Sequence, residues 1–348
     1  MRLFLSRFKQ MLKDPSPKKG WFLIVKEILM LSIQNRNLPT YYAKNLMYLK
    51  DSGNYKDYLT PIEKRDINTS PRLHRLEFTS LLKNKLASAL YFENCGLPIP
   101  KMISYNVEKH FFCNGNLKIL QSIDDLIAFF TEVMEEYGKN SLFLKHHAEL
   151  GGVGCYLLKK QDLSNTIQKI GPILLSGSFI HQETVQQHTK INEIYAPSLN
   201  TIRFETYIDN DNKKHIRTCY IRFGNDGKVV DNSFSGGIYV PISLKTGQLS
   251  EKAYKKAKGL IGGDTYLEHP DSGVKFKDFL IPYFEEAKEL VFECLQFVPD
   301  RYIGWDIAIS ANGPILIEGN GTPYFAERPF GFKKSALGRE IIKEIYSK

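Results

Sequence analysis

The chain has no Cys-x-x-Cys pair. Its five cysteines, Cys95, Cys113, Cys155, Cys219 and Cys294, are dispersed through 348 residues. An odd, scattered set argues against a disulfide framework and for reduced thiols in the cytoplasm. The eight histidines show no zinc spacing, and the adjacent His146 and His147 would diverge on a strand, so no zinc site is expected. No apolar run reaches bilayer length. The best candidate, residues 21–32, is broken by Lys26-Glu27 and is too short to span. It also lies too far into the chain, and lacks the small-residue cleavage site, to read as a signal peptide. Internal repeats and low-complexity segments are absent, as is an evident Ser-His-Asp or Cys-His nucleophile set.

Acidic residues are nearly missing from the first fifty positions. Ten Lys/Arg stand there against only Asp14 and Glu27, which accounts for eight of the net charge of +9. The remainder is close to neutral. This is a basic arm on a balanced, enzyme-like body, and a nucleic-acid partner is not expected. Two readings of the arm stay open. A basic, partly amphipathic helix carrying Trp21, Phe22, Leu23, Ile24, Val25, Ile28, Leu29 and Leu31 suits peripheral contact with an anionic leaflet. Alternatively, the apolar stretch packs on the body and the charges are merely solvated. The expected compartment is the cytoplasm, with the inner face of the membrane as the site implied by the first reading.

Residues 1–50 read as helical, with a Pro-Ser-Pro-Lys-Lys break at positions 15–19. Residues 41–75 read as a polar linker or wrap. Helical periodicity over 77–95 ends at Gly96, and Leu97-Pro98-Ile99-Pro100 leads into a strand at 102–105. Ser122 and Asp124-Asp125 open an amphipathic helix over 123–137. Strands are expected at 142–145, 155–158 and 179–182, with a short helix at 162–170. The second half is strand-rich: 201–208, 215–223, 228–230 and 238–242. Helices at 281–297 and 336–346 complete the chain. The mixed order predicts an α+β fold with antiparallel sheets.

Near the C-terminus, Gly304-Trp305-Asp306-Ile307-Ala308-Ile309 and Pro314-Ile315-Leu316-Ile317-Glu318-Gly319-Asn320 flank an Asn312-Gly313 turn, a hairpin pattern. Residues two apart on a strand share a face, so Glu318 and Asn320 point together, and antiparallel pairing lets Asp306 meet them. Three oxygen ligands suit a hard cation such as Mg²⁺; a polar strand end facing solvent is the plainer reading. Upstream, Lys145 closes an apolar strand ahead of Gly151-Gly152-Val153-Gly154. Successive N–H groups of such a loop can cradle phosphate, with Lys145 adding charge, although Gly-rich turns also serve as simple hairpins. This is not a P-loop, since no Gly-Lys-Ser/Thr follows. Lys85, inside the 77–95 helix, is by itself a solvated lysine. Arg203 and Arg222 lie in strand-like runs, where a guanidinium suits phosphate or a tetrahedral intermediate, or else a structural salt bridge. Asp231-Asn232 and Gly236-Gly237 read as an acceptor-site loop or a plain turn. His188 reads as a ribose contact or a satisfied surface histidine.

Taken in order, these pieces resemble the ATP-grasp superfamily over roughly residues 77–325. The helix lysine ahead of Gly96-Leu97-Pro98-Ile99-Pro100 is similar to the family's first ATP lysine, which carries over to Lys85. The strand lysine and glycine flap carry over to Lys145 and to Gly151, Gly152 and Gly154. Gln182, Glu183, Thr184 and Val185 look like the hinge between lobes, where backbone groups meet the adenine edge. Asp306, Glu318 and Asn320 match the magnesium ligands. Asn200-Thr201-Ile202-Arg203, the segment from Val230 to Ile238, His269-Pro270-Asp271-Ser272-Gly273, Ile281-Pro282-Tyr283 and Ile303-Gly304-Trp305-Asp306 resemble the narrower sugar-transfer associated ATP-grasp group.

The resemblance implies two α+β lobes clasping ATP, with ATP and Mg²⁺ as cofactors. Residues 1–75 would form a basic helical extension, 76–190 the N-terminal and ATP-lobe part, and 191–348 the C-terminal catalytic lobe. It implies a carboxylate–amine ligase working through an acyl phosphate in exported-polysaccharide synthesis, on a uronic acid or amino acid, with small-molecule or glycan substrates. Phosphoryl transfer to a sugar hydroxyl and a non-catalytic, membrane-associated scaffold are the alternatives.

Overall fold

The computed structural model describes residues 2–149, 154–228, 231, 236–255, 264–322 and 336–347. Gly151 and Gly152 of the expected flap, and most of the 229–235 segment, lie outside the described residues.

Two antiparallel sheets organise the body, as the α+β reading predicts. The first contains β1 (Met102–Val107), β2 (His110–Cys113), β3 (Asn116–Ile119), β4 (Ser141–His146), β5 (Cys155–Lys159) and β6 (Ser178–Glu183), in the order β3-β2-β1-β6-β4-β5. The second contains β7 (Thr201–Ile208), β8 (Lys214–Phe223), β9 (Ile238–Pro241), β10 (Ala253–Lys255), β11 (Thr265–Tyr266), β12 (Tyr302–Ser310) and β13 (Gly313–Asn320), in the order β11-β10-β9-β8-β7-β12-β13. The hairpin β2–β3 is missing from the sequence reading: β3 is exposed throughout, and its four alternating residues are too short a run to stand out as a strand. Lys228, placed in a strand by its sequence, lies in none.

Each sheet has its own helices. Helix Ile123–Glu136, entered through a Ser122–Asp125 capping box, buries Leu126, Phe129, Phe130 and Val133 on the first sheet. Helix Leu163–Ser176 adds Ile167 and Leu174 to the same core. Helix Phe284–Phe297 buries Ala287, Leu290, Val291 and Cys294 against the second sheet. It starts three residues later than expected because Tyr283 adopts a left-handed conformation (φ 53°) after Pro282.

The helix expected over 77–95 is two. Leu76–Lys83 and Lys85–Asn94 meet at Asn84, whose extended backbone stops the first while its Oδ1 accepts from the N–H groups of Leu86 and Ala87, both at 3.1 Å. Asparagine competes with the helix through its own side chain and is favoured as an N-cap. Lys85 is therefore not mid-helix but the first residue of a new one, turned toward the first sheet: its N–H donates to the His147 carbonyl at 3.0 Å.

The 41–75 segment is not a polar linker. Tyr42, Met47, Tyr48, Leu49 and Tyr58 are buried with Met11, Ile24 and Leu31 in a small core belonging to the arm itself. Tyrosine hides well in a polar-looking sequence because its ring is apolar and only its hydroxyl needs a partner. Here Tyr42 donates to Glu27 at 2.5 Å and Tyr48 to Asp14. Next along the chain, a Thr60–Glu63 capping box starts helix Pro61–Thr69. Its Ile67 packs with Leu73, Tyr207, Tyr302 and Ile341. His74 Nδ1 pairs with Asp300 at 2.8 Å and fastens this segment to the body.

Candidate functional site

The expected hairpin is present, with Ser310 paired to Gly313 across the turn. Asp306 faces Glu318 directly across the β12–β13 ladder, and Asn320 stands opposite Gly304. Between Glu318 and Asn320, Gly319 points to the other side of the sheet. A Cβ there would come within 2.8 Å of Leu82 and 2.9 Å of Trp305. Glycine thus lets helix Leu76–Lys83 and the buried Trp305 close on the back of β13, while its neighbours turn to the front. Asn320 Nδ2 lies 3.4 Å from Asp306 Oδ2 and 3.3 Å from Glu318 Oε1, so the three side chains converge.

On its other flank Asp306 pairs with Arg203 of β7. Arg203 Nε donates to Oδ1 at 2.5 Å and Nη2 to Oδ2 at 2.9 Å; Arg222 Nη2 approaches Oδ2 at 3.1 Å. Burial alone would raise the Asp306 pKa, but the two guanidinium charges override it and hold the carboxyl at about 2. Arg222 also donates to Thr201 Oγ1, whose hydroxyl donates to Asp231 at 2.5 Å. Burial pushes the Asp231 carboxyl up against the counter-pull of Arg222.

These groups form one wall of a cleft of about 370 Å³ between the sheets. Thr201, Arg222, Asp231, Asp306, Ile317 and Glu318 line it from the second sheet and its loop, and Phe143, Lys145, Cys155 and Leu157 from the first. Lys85 and Gln182, Glu183, Thr184 and Val185 close it at the side and back. Phe143, Leu157, Val185, Leu199 and Ile317 supply apolar walls beside the charged groups, the mixture a nucleotide needs.

Lys145 stands beside Cys155 on the neighbouring strand, its Nζ 5.7 Å from the Phe143 ring. Burial draws its pKa down, opposed by the nearby Glu318 carboxylate. Lys85 Nζ donates to the Glu149 carbonyl at 2.6 Å, next to the glycine-rich segment. Of that segment Gly154 is described. Its φ is +68° and an added Cβ would sit 2.8 Å from His146 Cβ, so the turn requires glycine.

In the hinge segment, the Glu183 side chain is committed to structure: it accepts from the Lys101 N–H at 3.1 Å and from Lys139 Nζ at 2.6 Å. Thr184 bonds the Ser141 hydroxyl at 2.7 Å. Gln182 donates to the Pro100 carbonyl at 3.0 Å, while its buried Oε1 has no partner among the described residues. An open acceptor at the back of the cleft is a place for a ligand donor.

The structure thus gathers Lys85, Lys145, Gln182–Val185, Arg222, Asp306 and Glu318 around one cleft. Arg203 and Asn320 are not on its lining; both touch Asp306 from beside it. Arg203 therefore holds Asp306 rather than facing the space in front of it. His188 is spent on structure, capping helix Thr189–Ile194 through Nδ1, which accepts from the Lys190 N–H at 3.1 Å. Thr201 and Cys155 were not singled out from sequence. Thr201 falls inside the Asn200–Arg203 motif without a role of its own, and Cys155 is marked only by its place on β5.

Among the described residues no cluster of three His, Cys, Asp or Glu could hold a metal. The set at β12–β13 is two carboxylates and one amide. Those are hard oxygen donors, and the Asn320 amide can present either its nitrogen or its oxygen to the same point. The donor chemistry fits Mg²⁺.

No curated protein matches the sequence. Among solved structures, the chain is similar to a D-alanyl-alanine synthetase A from Vibrio cholerae O1 biovar eltor (15% identity, 78% of this chain and 63% of that one, TM-score 0.41). It is also similar to the ATP-grasp ligase PsnB (14%, 78% and 62%, TM-score 0.40) and to N5-carboxyaminoimidazole synthetase from Staphylococcus aureus (12%, 70% and 45%, TM-score 0.39). The chain spans less than two thirds of the length of each. Residues 65–327 match the family described as sugar-transfer associated ATP-grasp. With three quarters of its length inside that match, the chain belongs to the sugar-transfer associated ATP-grasp family.

Proposed function

We propose that this protein is an ATP-dependent carboxylate–amine ligase. The observation that carries the reading is the meeting of two opposed charge sets in one cleft: Lys85 and Lys145 on one side, Asp306 and Glu318 on the other. Triphosphate with a divalent cation fills such a gap. Lys85 and Lys145 would take phosphate oxygens; Asp306, Glu318 and Asn320 would hold Mg²⁺. When bound, the cation offsets phosphate charge so that an anionic nucleophile can approach.

The chain's own residues then position and exclude. The apolar walls would seat the nucleotide base and reduce the water in the cleft. A substrate carboxylate oxygen attacks the γ-phosphorus, and ADP leaves. The amine nitrogen then attacks the acyl carbon, phosphate departs, and the amine gives up a proton. Arg222 lines the cleft beside Asp306, and in this reading it would neutralise the tetrahedral oxyanion. Arg203 keeps Asp306 ionised and oriented. No enzyme nucleophile is required.

The substrates we assign are a uronic acid or amino acid as carboxylate, and an amino acid or amino sugar as amine, in exported-polysaccharide synthesis. The family's description as sugar-transfer associated supports this. A basic arm at the inner membrane face would keep the enzyme near lipid-linked glycan intermediates.

The test is nucleotide turnover with Mg²⁺ against panels of uronic acids and amines, with products weighed by mass spectrometry. ADP, free phosphate and a product lighter than its two substrates by one water are expected. ADP without free phosphate, with a phosphorylated sugar, would make the protein a phosphotransferase. Failure to bind ATP would make it a scaffold.

A further inference from the structure

We propose that the N-terminal arm docks on an anionic membrane surface by laying down the outer face of helix Trp21–Asn35. This rests on the membrane-face location above and not on the ligase chemistry.

The helix is apolar on both sides. Ile24 and Leu31 turn inward to the arm's own core, together with Glu27. On the opposite side Phe22, Leu29 and Ile33, seven and four residues apart, form one stripe that is 85%, 57% and 74% exposed. Val25 and Met30 flank it and are also exposed. A helix apolar all round normally lies inside something. Here half of its surface is inside the arm, and the other half faces out among the described residues.

Charge decides what covers it. Of the two acids of residues 2–50, Glu27 is buried and Asp14 is half-buried, and both are paired. Glu27 is buried, gripped by Lys19 Nζ at 3.0 Å and by the Tyr42 hydroxyl at 2.5 Å. Asp14 accepts from the Tyr48 hydroxyl and from the Ser16 N–H. The first exposed carboxylate along the chain is Asp51. Every fully exposed charge of residues 2–50 is therefore positive; exposed Asp51 and Asp57 come only after them. Lys26 is exposed beside the apolar stripe, and Arg36 ends the helix. On helix Arg2–Lys13, Arg2, Lys9 and Lys13 make a second exposed stripe with the same seven-and-four spacing.

A second copy of this surface would be repelled by its own charge, whereas an anionic leaflet is complementary to it. Apolar side chains then enter the acyl boundary while the cations stay at headgroup level. The fifteen-residue helix, about 22 Å long, is too short to cross a hydrocarbon core of about 30 Å, so it lies in the interface. Among the described residues no helix is long and apolar enough to cross a membrane.

The experiment is co-sedimentation of the full chain with phosphatidylcholine vesicles, with or without phosphatidylglycerol, across a salt series. The protein should pellet with the anionic vesicles at low salt, stay in solution with the neutral ones, and be released as salt rises. Phe22→Ser/Leu29→Ser/Ile33→Ser should abolish pelleting without changing the melting temperature, because all three side chains are exposed. Lys9→Gln/Lys13→Gln should weaken it about 30-fold. Full protein that ignores anionic vesicles at low salt, or a triple variant that pellets like its parent, overturns the proposal. So does a dimer in solution that the triple variant returns to monomer, since the occupant would then be a second copy. Nucleotide turnover measured on the same samples separates this outcome from the fate of the ligase reading.

Discussion

Arg203 clasps Asp306 through two parallel hydrogen bonds, at 2.5 and 2.9 Å, across the β7–β12 ladder, with both side chains buried. The guanidinium fork matches the carboxylate plane, so the pair fixes direction as well as charge. One carboxylate edge of the cleft is thereby held rigid.

Removing Arg203 should cost stability as well as activity. Arg203→Met leaves a buried carboxylate with only Arg222 beside it. The expected loss is about 3 kcal/mol in urea unfolding, the lower end for breaking a buried ion pair because one partner remains. Arg203→Lys should recover part of it but not the two-point geometry. An Arg203→Met protein as stable as the parent would show that the pair contributes nothing to the fold.

The same pair makes a prediction about acid. The folded pKa of Asp306, about 2, lies below its ordinary value of 3.8. The ionised form is therefore favoured by folding. The stabilisation is fully present above about pH 4 and is lost as pH falls through about 2, and is worth about 2 kcal/mol at neutral pH. Asp306→Asn should flatten the stability-versus-pH curve over that window. An unchanged acid limb would contradict the assignment.

Glu318→Ala should abolish turnover and leave the fold intact. Glu318 is half-exposed at the cleft, and its loss opens no core cavity. The check is steady-state turnover across a Mg²⁺ titration, with circular dichroism on the same sample. Near-normal activity at any Mg²⁺ concentration would remove Glu318 from the metal set.

Lys85→Ala and Lys145→Ala should each weaken ATP binding by about 1.5–3 kcal/mol, the range for a lost charge-assisted hydrogen bond. Calorimetry with a non-hydrolysable ATP analogue reads this directly. Lys145 should matter more, since its charge is the less solvated of the two. Unchanged affinity in both variants would place the triphosphate elsewhere.

Much of this protein is legible in its residues alone. Alternating apolar strands, an Asn-Gly turn and the Glu-x-Asn spacing already place Glu318 and Asn320 on one face, because strand side chains repeat every two residues whatever surrounds them. Capping boxes at Ser122 and Thr60 are local too: donor and acceptor lie three residues apart. What the sequence could not reveal depended on residues far apart in the chain. Arg203 and Arg222 read equally well as phosphate ligands or salt-bridge partners. Only the sheet order, which sets β12 beside β7, makes one the clasp of Asp306 and leaves the other facing the cleft. Residues 41–75 look polar until Tyr42, Tyr48 and Tyr58 are seen inward with their hydroxyls satisfied. Likewise, composition counts ten basic residues and two acids in the arm; the tertiary structure buries Glu27 and pairs the half-buried Asp14 with Tyr48. Side-chain type and spacing act locally and are written in the sequence. Partner choice among like side chains is decided by which strands and helices the rest of the chain brings alongside.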